Sequence, residues 1–235
     1  MEFDLVISRL HVKKKLVVID VGAHHGEIID VLGYSNRKHR FDIHALEPIA
    51  ENYRKLRHKK FYWNLRSRMK IHTYETGIDI VTGEKDFYLG SADTLYTTNA
   101  NQLEIFQSEF ESYRTRSVPL ISFHDFFEKN RIPENTEVDI LKVDTEGSEF
   151  SVLSSLFETA NRPNAIIFEL QTTIGGLEPI VALLQKQGYE EFFIYLRDGL
   201  YTNYIGNLLN DRYLREEVLA QPGFGGNCVA FRGIH

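Results

Sequence analysis

The sequence holds a single cysteine, Cys228, in 235 residues. A lone thiol cannot build an internal disulfide framework, so a small disulfide-held secreted scaffold is excluded and a reducing compartment is expected. Positive charge is also scarce: the formal net charge is −6 and the pI about 5.9. A general nucleic-acid or membrane-surface binder would carry a basic excess, so no nucleic-acid partner is expected. The local basic run Arg54–Lys60 reads as the solvated face and end of a helix. Met1–Lys15 has no apolar h-region, and no apolar run reaches the roughly 20 residues a membrane span needs. These absences lead to the expectation of a cytoplasmic protein with no membrane span. There is no G-x-x-x-x-G-K-[ST] either, which disfavours a P-loop nucleotidase. Internal repeats and low-complexity linkers are missing too, so residues 1–235 read as one domain.

What is present is ordinary globular composition, 43% hydrophobic and 26% charged, enough for one large α/β core. Short apolar runs alternate with helical patterns, the signature of βαβ units and a parallel sheet. Seven strands are predicted: Leu16–Asp20, Phe41–Leu46, Lys70–Glu75, Val138–Val143, Ala165–Leu170, Tyr189–Leu196 and Cys228–Phe231. Helices are predicted from Glu27, from Ile49 to about His58, over Ser148–Thr159 and around Leu177–Leu184. The middle is less regular, with a polar-apolar strand at Lys85–Leu89, a helix at Gln102–Tyr113, a short extended piece at Pro119–Phe123 and a helix at Asp125–Asn130. Two insertions, at about 91–116 and 197–227, are expected near an acceptor site. The second carries Tyr201, Tyr204, Tyr213 and Phe224. Its aromatic faces suit sugars and planar rings, but equally a core or a contact between copies of the chain in a homo-oligomer.

Chemistry gathers at three strand ends. Asp20-Val21-Gly22-Ala23-His24-His25-Gly26 lies where a buried strand turns into a helix. Gly22 and Gly26 permit close approach of a ligand to the backbone, and the helix start offers free N–H groups. Glu47, about 25 positions after Gly22, closes the second strand, where a carboxylate can accept both hydroxyls of a ribose. The pair indicates a nucleoside ligand. His24 stands where a dinucleotide-binding G-x-G-x-x-G would have its middle glycine, so an adenosyl group fits better than a pyrophosphate. The third signal is Asp144-Thr145-Glu146-Gly147-Ser148-Glu149, at the end of the fourth strand. Asp144 and Glu146 can aim at a ligand. Glu149 falls in a first helical turn, where the macrodipole alone favours a negative charge.

These segments resemble the FkbM family of methyltransferases. The resemblance rests on VVIDVGAHHGE at Val17–Glu27, HALEP at His44–Pro48 and ILKVDTEGSEFSVL at Ile140–Leu153, supported by IIFEL at Ile166–Leu170. It implies a class I, Rossmann-like, doubly wound and mostly parallel seven-stranded sheet whose last strand is antiparallel. It also implies S-adenosylmethionine as cofactor and O-methylation of a sugar, glycan or small metabolite. Carried over by position, Asp20, Gly22, Ala23, His24 and Gly26 would hold the methionine part, Glu47 the ribose, and Gly77 and Ile78 would flank the adenine. His25, where the family has an aliphatic residue, departs from the pattern, as does Phe123-His124 where it has Leu-Asp. His124 reads as structural.

Methyl transfer to a hydroxyl benefits from a base within hydrogen-bond reach. Asp144 is the first candidate and Glu146 the second. The alternative is a divalent metal held by Asp144 and Glu169 at adjacent strand ends, lowering the acceptor's pKa. Two rival functions remain: an inert adenosyl-binding or scaffold protein keeping the fold, and an NAD-dependent oxidoreductase, whose glycine pattern does not match.

Overall fold

Leu16, Val18, Ile19 and Val21 are each at most 1% exposed, which requires the first strand to be covered on both faces. The computed structural model, which describes residues 2–10, 13–35, 39–89, 96–97, 114–133, 135–171, 177–196, 201–205 and 225–233, shows how. Strand β1 (Lys15–Val21) sends Leu16 and Val18 into one hydrophobic cluster and Ile19 and Val21 into another. On the first face lie α1 (Glu2–Arg9), α2 (Glu27–Ser35) and α3 (Ala50–Arg66), contributing Val6, Ile29, Leu56 and Trp63. On the second lie α4 (Phe123–Lys129), α5 (Glu149–Phe157) and α6 (Leu177–Lys186), contributing Phe126, Leu153 and Val181.

The remaining strands of this sheet are β2 (Arg40–Leu46), β3 (Met69–Tyr74), β8 (Ile140–Val143), β9 (Ala165–Gln171), β10 (Tyr189–Leu196), β11 (Tyr201–Ile205) and β12 (Gly225–Arg232). Their spatial order is β11-β10-β12-β9-β8-β1-β2-β3. Neighbours from β3 to β9 pair in parallel, and β12 runs antiparallel to both β9 and β10. The seven expected strands are all here, with the last one antiparallel. One strand was not expected: β11, inside the second insertion, adds an antiparallel edge to β10. Because β1 lies between β2 and β8, the chain leaves it in one direction and later returns on the other side. The loops after β1 and β8 therefore diverge and leave a crevice beyond the carboxyl ends of the strands.

Some bounds differ from expectation for physical reasons. The helix expected to end near His58 runs to Arg66. No glycine or proline interrupts it, and Leu56 and Trp63, seven apart, keep one buried stripe going past the basic run. It stops where the Ser67 N–H donates to the Trp63 carbonyl at 2.9 Å. The extended piece expected at Pro119–Phe123 belongs to β7 (Arg114–Ile121), and Phe123 already starts α4. With β4 (Gly77–Ile78), β5 (Gly83–Leu89) and β6 (Tyr96–Thr97), β7 forms a second sheet ordered β4-β7-β5-β6. The Gln102–Tyr113 helix lies outside the described residues, as do residues 91–95 and most of the second insertion. No helix among the described residues is long and apolar enough to cross a membrane.

Candidate active site

The crevice holds a cavity of about 480 Å³, within the size range of small-molecule sites. Its floor is the turn after β1. Gly22 and Ala23 donate their N–H groups to the Leu46 carbonyl at 3.1 and 2.9 Å, which pulls the turn across the end of β2. Gly22 has φ +79°, and a Cβ there would stand 1.8 Å from the Asp144 carbonyl oxygen, so only glycine lets β1 and β8 come this close. His24 is also left-handed, at φ +47°. Histidine and asparagine are among the non-glycine residues enriched in that region, so its identity follows the backbone.

Glu47 is the anchor of one wall. It is 4% exposed and takes the His24 N–H at 2.8 Å on Oε2 and the Ile49 N–H at 2.9 Å on Oε1. A carboxylate offers about four lone-pair sites, so two remain for a ligand's hydroxyls. Burial pushes its carboxyl up to about 7, against the pull of those two N–H groups. Next to it Asn52 lines the cavity, 2% exposed, with its Nδ2 buried and without a hydrogen-bond partner. The position of Asn52, in the first helical turn after Glu47, was the only sequence signal for it.

Asp20 lines the cavity at the end of β1, 0% exposed, and neither carboxylate oxygen has a hydrogen-bond partner. Burial drives its carboxyl up to about 6, opposed by the Lys142 ammonium 3.8 Å away. Lys142 was hidden in the apolar pattern of β8. Its Nζ also donates to Asp144 Oδ2 at 2.7 Å. Burial works against its charge, but Asp144 and Asp20 outweigh burial and raise its pKa.

The loop after β8 is held from below. Glu149, 4% exposed, accepts from the Thr145 N–H at 3.0 Å, the Thr145 hydroxyl at 3.1 Å and the Gly147 N–H at 3.3 Å. It is the structural residue of the three carboxylates, and the turn it fixes leaves Asp144 and Glu146 on the cavity wall. Glu169 does not line the cavity, yet a carboxylate oxygen of each of Asp144, Glu146 and Glu169 lies within 4.8 Å of the other two.

Gly77 and Ile78 line the far side, where the second sheet adds Phe87 and Leu120. A Cβ on Gly77 would come within 2.7 Å of Leu120 Cδ2. Gly77 and Ile78 are legible in the sequence, but Phe87 and Leu120 are not, because their place depends on the pairing of β5 with β7, which no local pattern carries. One residue sits elsewhere than its motif suggests. Gly26 is not on the cavity wall: a Cβ there would meet Leu56 Cδ1 at 2.9 Å, so its place is in the packing of α2 on α3. His124 is exposed on α4 and away from the cavity. His25 stacks on His24 at 3.6 Å, with its Nε2 3.0 Å from both Asn52 Oδ1 and Lys55 Nζ, so it ties the turn to α3.

A three-layer αβα sandwich with an antiparallel last strand, and a cavity of this make-up at its switch point, define the class I methyltransferase architecture. A family model described as the methyltransferase FkbM domain matches residues 20–191, and the chain belongs to that family. Among solved structures the fold is similar to a methyltransferase FkbM from Methylobacillus flagellatus KT. The TM-score is 0.52 at 15% identity, over 93% of this chain and 44% of that one. It is similar also to the METTL16 MTase domain, with a TM-score of 0.52 at 10% identity, over 100% of this chain and 67% of that one. No curated protein sequence matches the chain.

Proposed function

We propose that this protein is an S-adenosylmethionine-dependent O-methyltransferase acting on a hydroxyl of a sugar, glycan or small metabolite, through one methyltransferase domain. The observation that carries the reading is the cavity itself. It is lined by the buried acceptors Asp20 and Glu47, by an apolar wall of Gly77, Ile78 and Leu120, and by the carboxylates Asp144 and Glu146. This suits a ligand with an ammonium, a ribose and a flat base. The orphaned oxygens of Asp20 suit the cationic end, and the spare lone pairs of Glu47 suit two ribose hydroxyls, with the Asn52 side chain helping to hold the Glu47 carboxylate in its charged form.

S-adenosylmethionine would supply, when bound, an electrophilic methyl group on a sulfonium, transferred in line to the acceptor oxygen with the sulfur leaving as a neutral thioether. The chain's own part is position and proton transfer. Asp144 would take the proton of the acceptor hydroxyl. Lys142, hydrogen-bonded to the same carboxylate, fixes its orientation. Glu146 is the second candidate base. A second reading places a divalent cation on Asp144, Glu146 and Glu169, whose oxygens are close enough to share one.

The test is a labelled methyl-transfer screen against sugars, glycolipids and phenols, with mass spectrometry of the product. Calorimetry with S-adenosylhomocysteine and with NAD runs beside it. Binding of S-adenosylhomocysteine with micromolar-range affinity and transfer to oxygen are expected. Binding without any transfer leaves the inert-scaffold reading, and preference for NAD leaves the oxidoreductase.

Glu47 adds a pH signature. Its carboxyl, pushed up to about 7, must be ionised to accept ribose hydroxyls. S-adenosylhomocysteine should bind about tenfold more weakly at pH 6 than at pH 8 by proton linkage. In the ligand-free protein the same shift has the opposite sense. Its stabilising contribution is complete below the ordinary glutamate range and is lost as pH rises through about 7. Glu47→Gln should flatten the binding profile, and Glu47→Ala should weaken binding by about 1.5–3 kcal/mol, the worth of hydrogen bonds to a charged group. An unchanged affinity in both variants removes Glu47 from the ribose site.

A further inference from the structure

Away from the cavity, on the sheet face covered by α4, three metal-ligating side chains converge. Asp42 and His44 are two apart on β2, and so lie on one face. His72 is the direct register partner of His44 on the edge strand β3. His72 Nε2 is 3.4 Å from Asp42 Oδ1, and His44 Nε2 is 3.9 Å from the same oxygen. All three ligand atoms lie within 4.8 Å of one another. We propose that Asp42, His44 and His72 form a binding site for a borderline transition-metal dication such as Zn²⁺, with a fourth position open to water.

Three observations support it. First, Asp42 is 9% exposed and its Oδ1, the atom facing both imidazoles, is buried with only the long 3.4 Å contact to His72 Nε2, so its lone pairs are poorly used and can take a cation. Second, the spacing is close to what a metal demands. Ligand bonds of about 2.0–2.1 Å in a tetrahedron place neighbouring ligand atoms about 3.3 Å apart. Closing the site needs the two rings, now stacked at 4.9 Å and 10°, to tilt toward each other. Third, the outer contacts that orient ligands are in place. His44 Nδ1 is hydrogen-bonded to the Tyr74 hydroxyl at 2.8 Å, which leaves Nε2 for a metal, and Lys15 Nζ holds the other oxygen of Asp42 at 2.8 Å.

The lysines define the selectivity. Lys15 neutralises part of the Asp42 charge, and Lys70, register partner of Asp42, is exposed on the same edge. Hard cations such as Ca²⁺ and Mg²⁺ depend on several oxygen ligands and find one carboxylate here. A borderline ion depends on the two imidazoles instead. His72 is half-buried, with a side-chain exposure of 35%, and provides the entry path. Bound metal would clamp edge strand β3 to β2, some five residues before the Glu47 anchor along the chain.

The experiment is a Co²⁺ titration of the chelator-treated full chain, read by visible absorption, with thermal unfolding in Zn²⁺ beside it. One equivalent should give the intense absorption of a four-coordinate Co²⁺ site, and Zn²⁺ should raise the Tm. His72→Asn and Asp42→Asn should each weaken Co²⁺ binding at least about tenfold and abolish the Tm shift. Asp144→Asn should leave both readouts intact, which separates this site from the carboxylates at the cavity. His72→Asn removes a part-exposed ring, so its ligand-free Tm should stay near that of the parent. Absence of four-coordinate absorption, or binding by His72→Asn within threefold of the parent, overturns the proposal.

Discussion

Gly22→Ala is expected to reduce S-adenosylhomocysteine affinity at least about a hundredfold and to lower the Tm. Two costs meet at this position. The backbone is left-handed at φ +79°, which costs a side-chain-bearing residue about 1–2 kcal/mol. The new methyl would stand 1.8 Å from the Asp144 carbonyl oxygen, so backbone must shift on β1 or β8. Neither strand end can move alone. Gly22 and Ala23 are tied to the Leu46 carbonyl, His24 to Glu47, and the Asp144 N–H to the Val21 carbonyl at 3.0 Å. A shift at Gly22 therefore carries with it Asp20, Glu47 and Asp144 together. With strain of about 3 kcal/mol, and 2–4 °C lost per kcal/mol in a domain of this size, the Tm should fall by about 6–12 °C. Calorimetry and thermal unfolding of the same preparation check both numbers. Gly33→Ala is the control, since its Cβ would clash with the Trp63 ring at 2.6 Å without touching the cavity. It should cost stability and spare affinity. Affinity within threefold of the parent in Gly22→Ala would mean that the turn does not shape the site.

The contrast between what was legible in the residues and what was not follows from where the information resides. Strands β1, β2, β8 and β9 are covered by helices on both faces, so they read as mostly apolar runs, interrupted by Asp42 and His44 in β2 and by Lys142 in β8. Asp20, Glu47 and Asp144 are legible because each ends or directly follows such a run, and strand ends are where a doubly wound sheet keeps its ligands. Lys142 sits inside one of these runs, and its exit toward the cavity depends on side-chain direction that no spacing reveals. Phe87 and Leu120 reach the cavity only through the antiparallel pairing of β5 with β7, which begins in the polar segment Arg114–Ser117. The basic run Arg54–Lys60 masks the true end of α3, which the buried spacing of Leu56 and Trp63 carries on to Arg66. The acceptor walls expected at 91–116 and 197–227 fall largely outside the described residues, except for β6, β7, β11 and the start of β12.

The same three-strand corner that makes Gly22 intolerant sets the largest catalytic expectation. Asp144→Asn keeps the size of the side chain and removes its charge. The backbone N–H to Val21 remains, and the amide oxygen can still accept from Lys142, so the loop should hold its place. Turnover should fall at least tenfold, and by about 10²–10⁴-fold if Asp144 is the base that takes the acceptor proton. Because the loss belongs to the transition state, kcat should carry it, with S-adenosylhomocysteine affinity retained in large part. Single-turnover transfer of a labelled methyl group to the acceptor found in the screen, beside calorimetry on the same variant, separates the two. Glu146→Gln and Glu169→Gln divide the base from the metal reading. A base at Asp144 predicts that Glu169→Gln stays near the parent, since Glu169 is not on the cavity wall. A shared cation predicts that all three variants lose turnover and that chelator treatment does the same. Full turnover in Asp144→Asn would take both roles away from this carboxylate and leave Glu146, on the same wall, as the base.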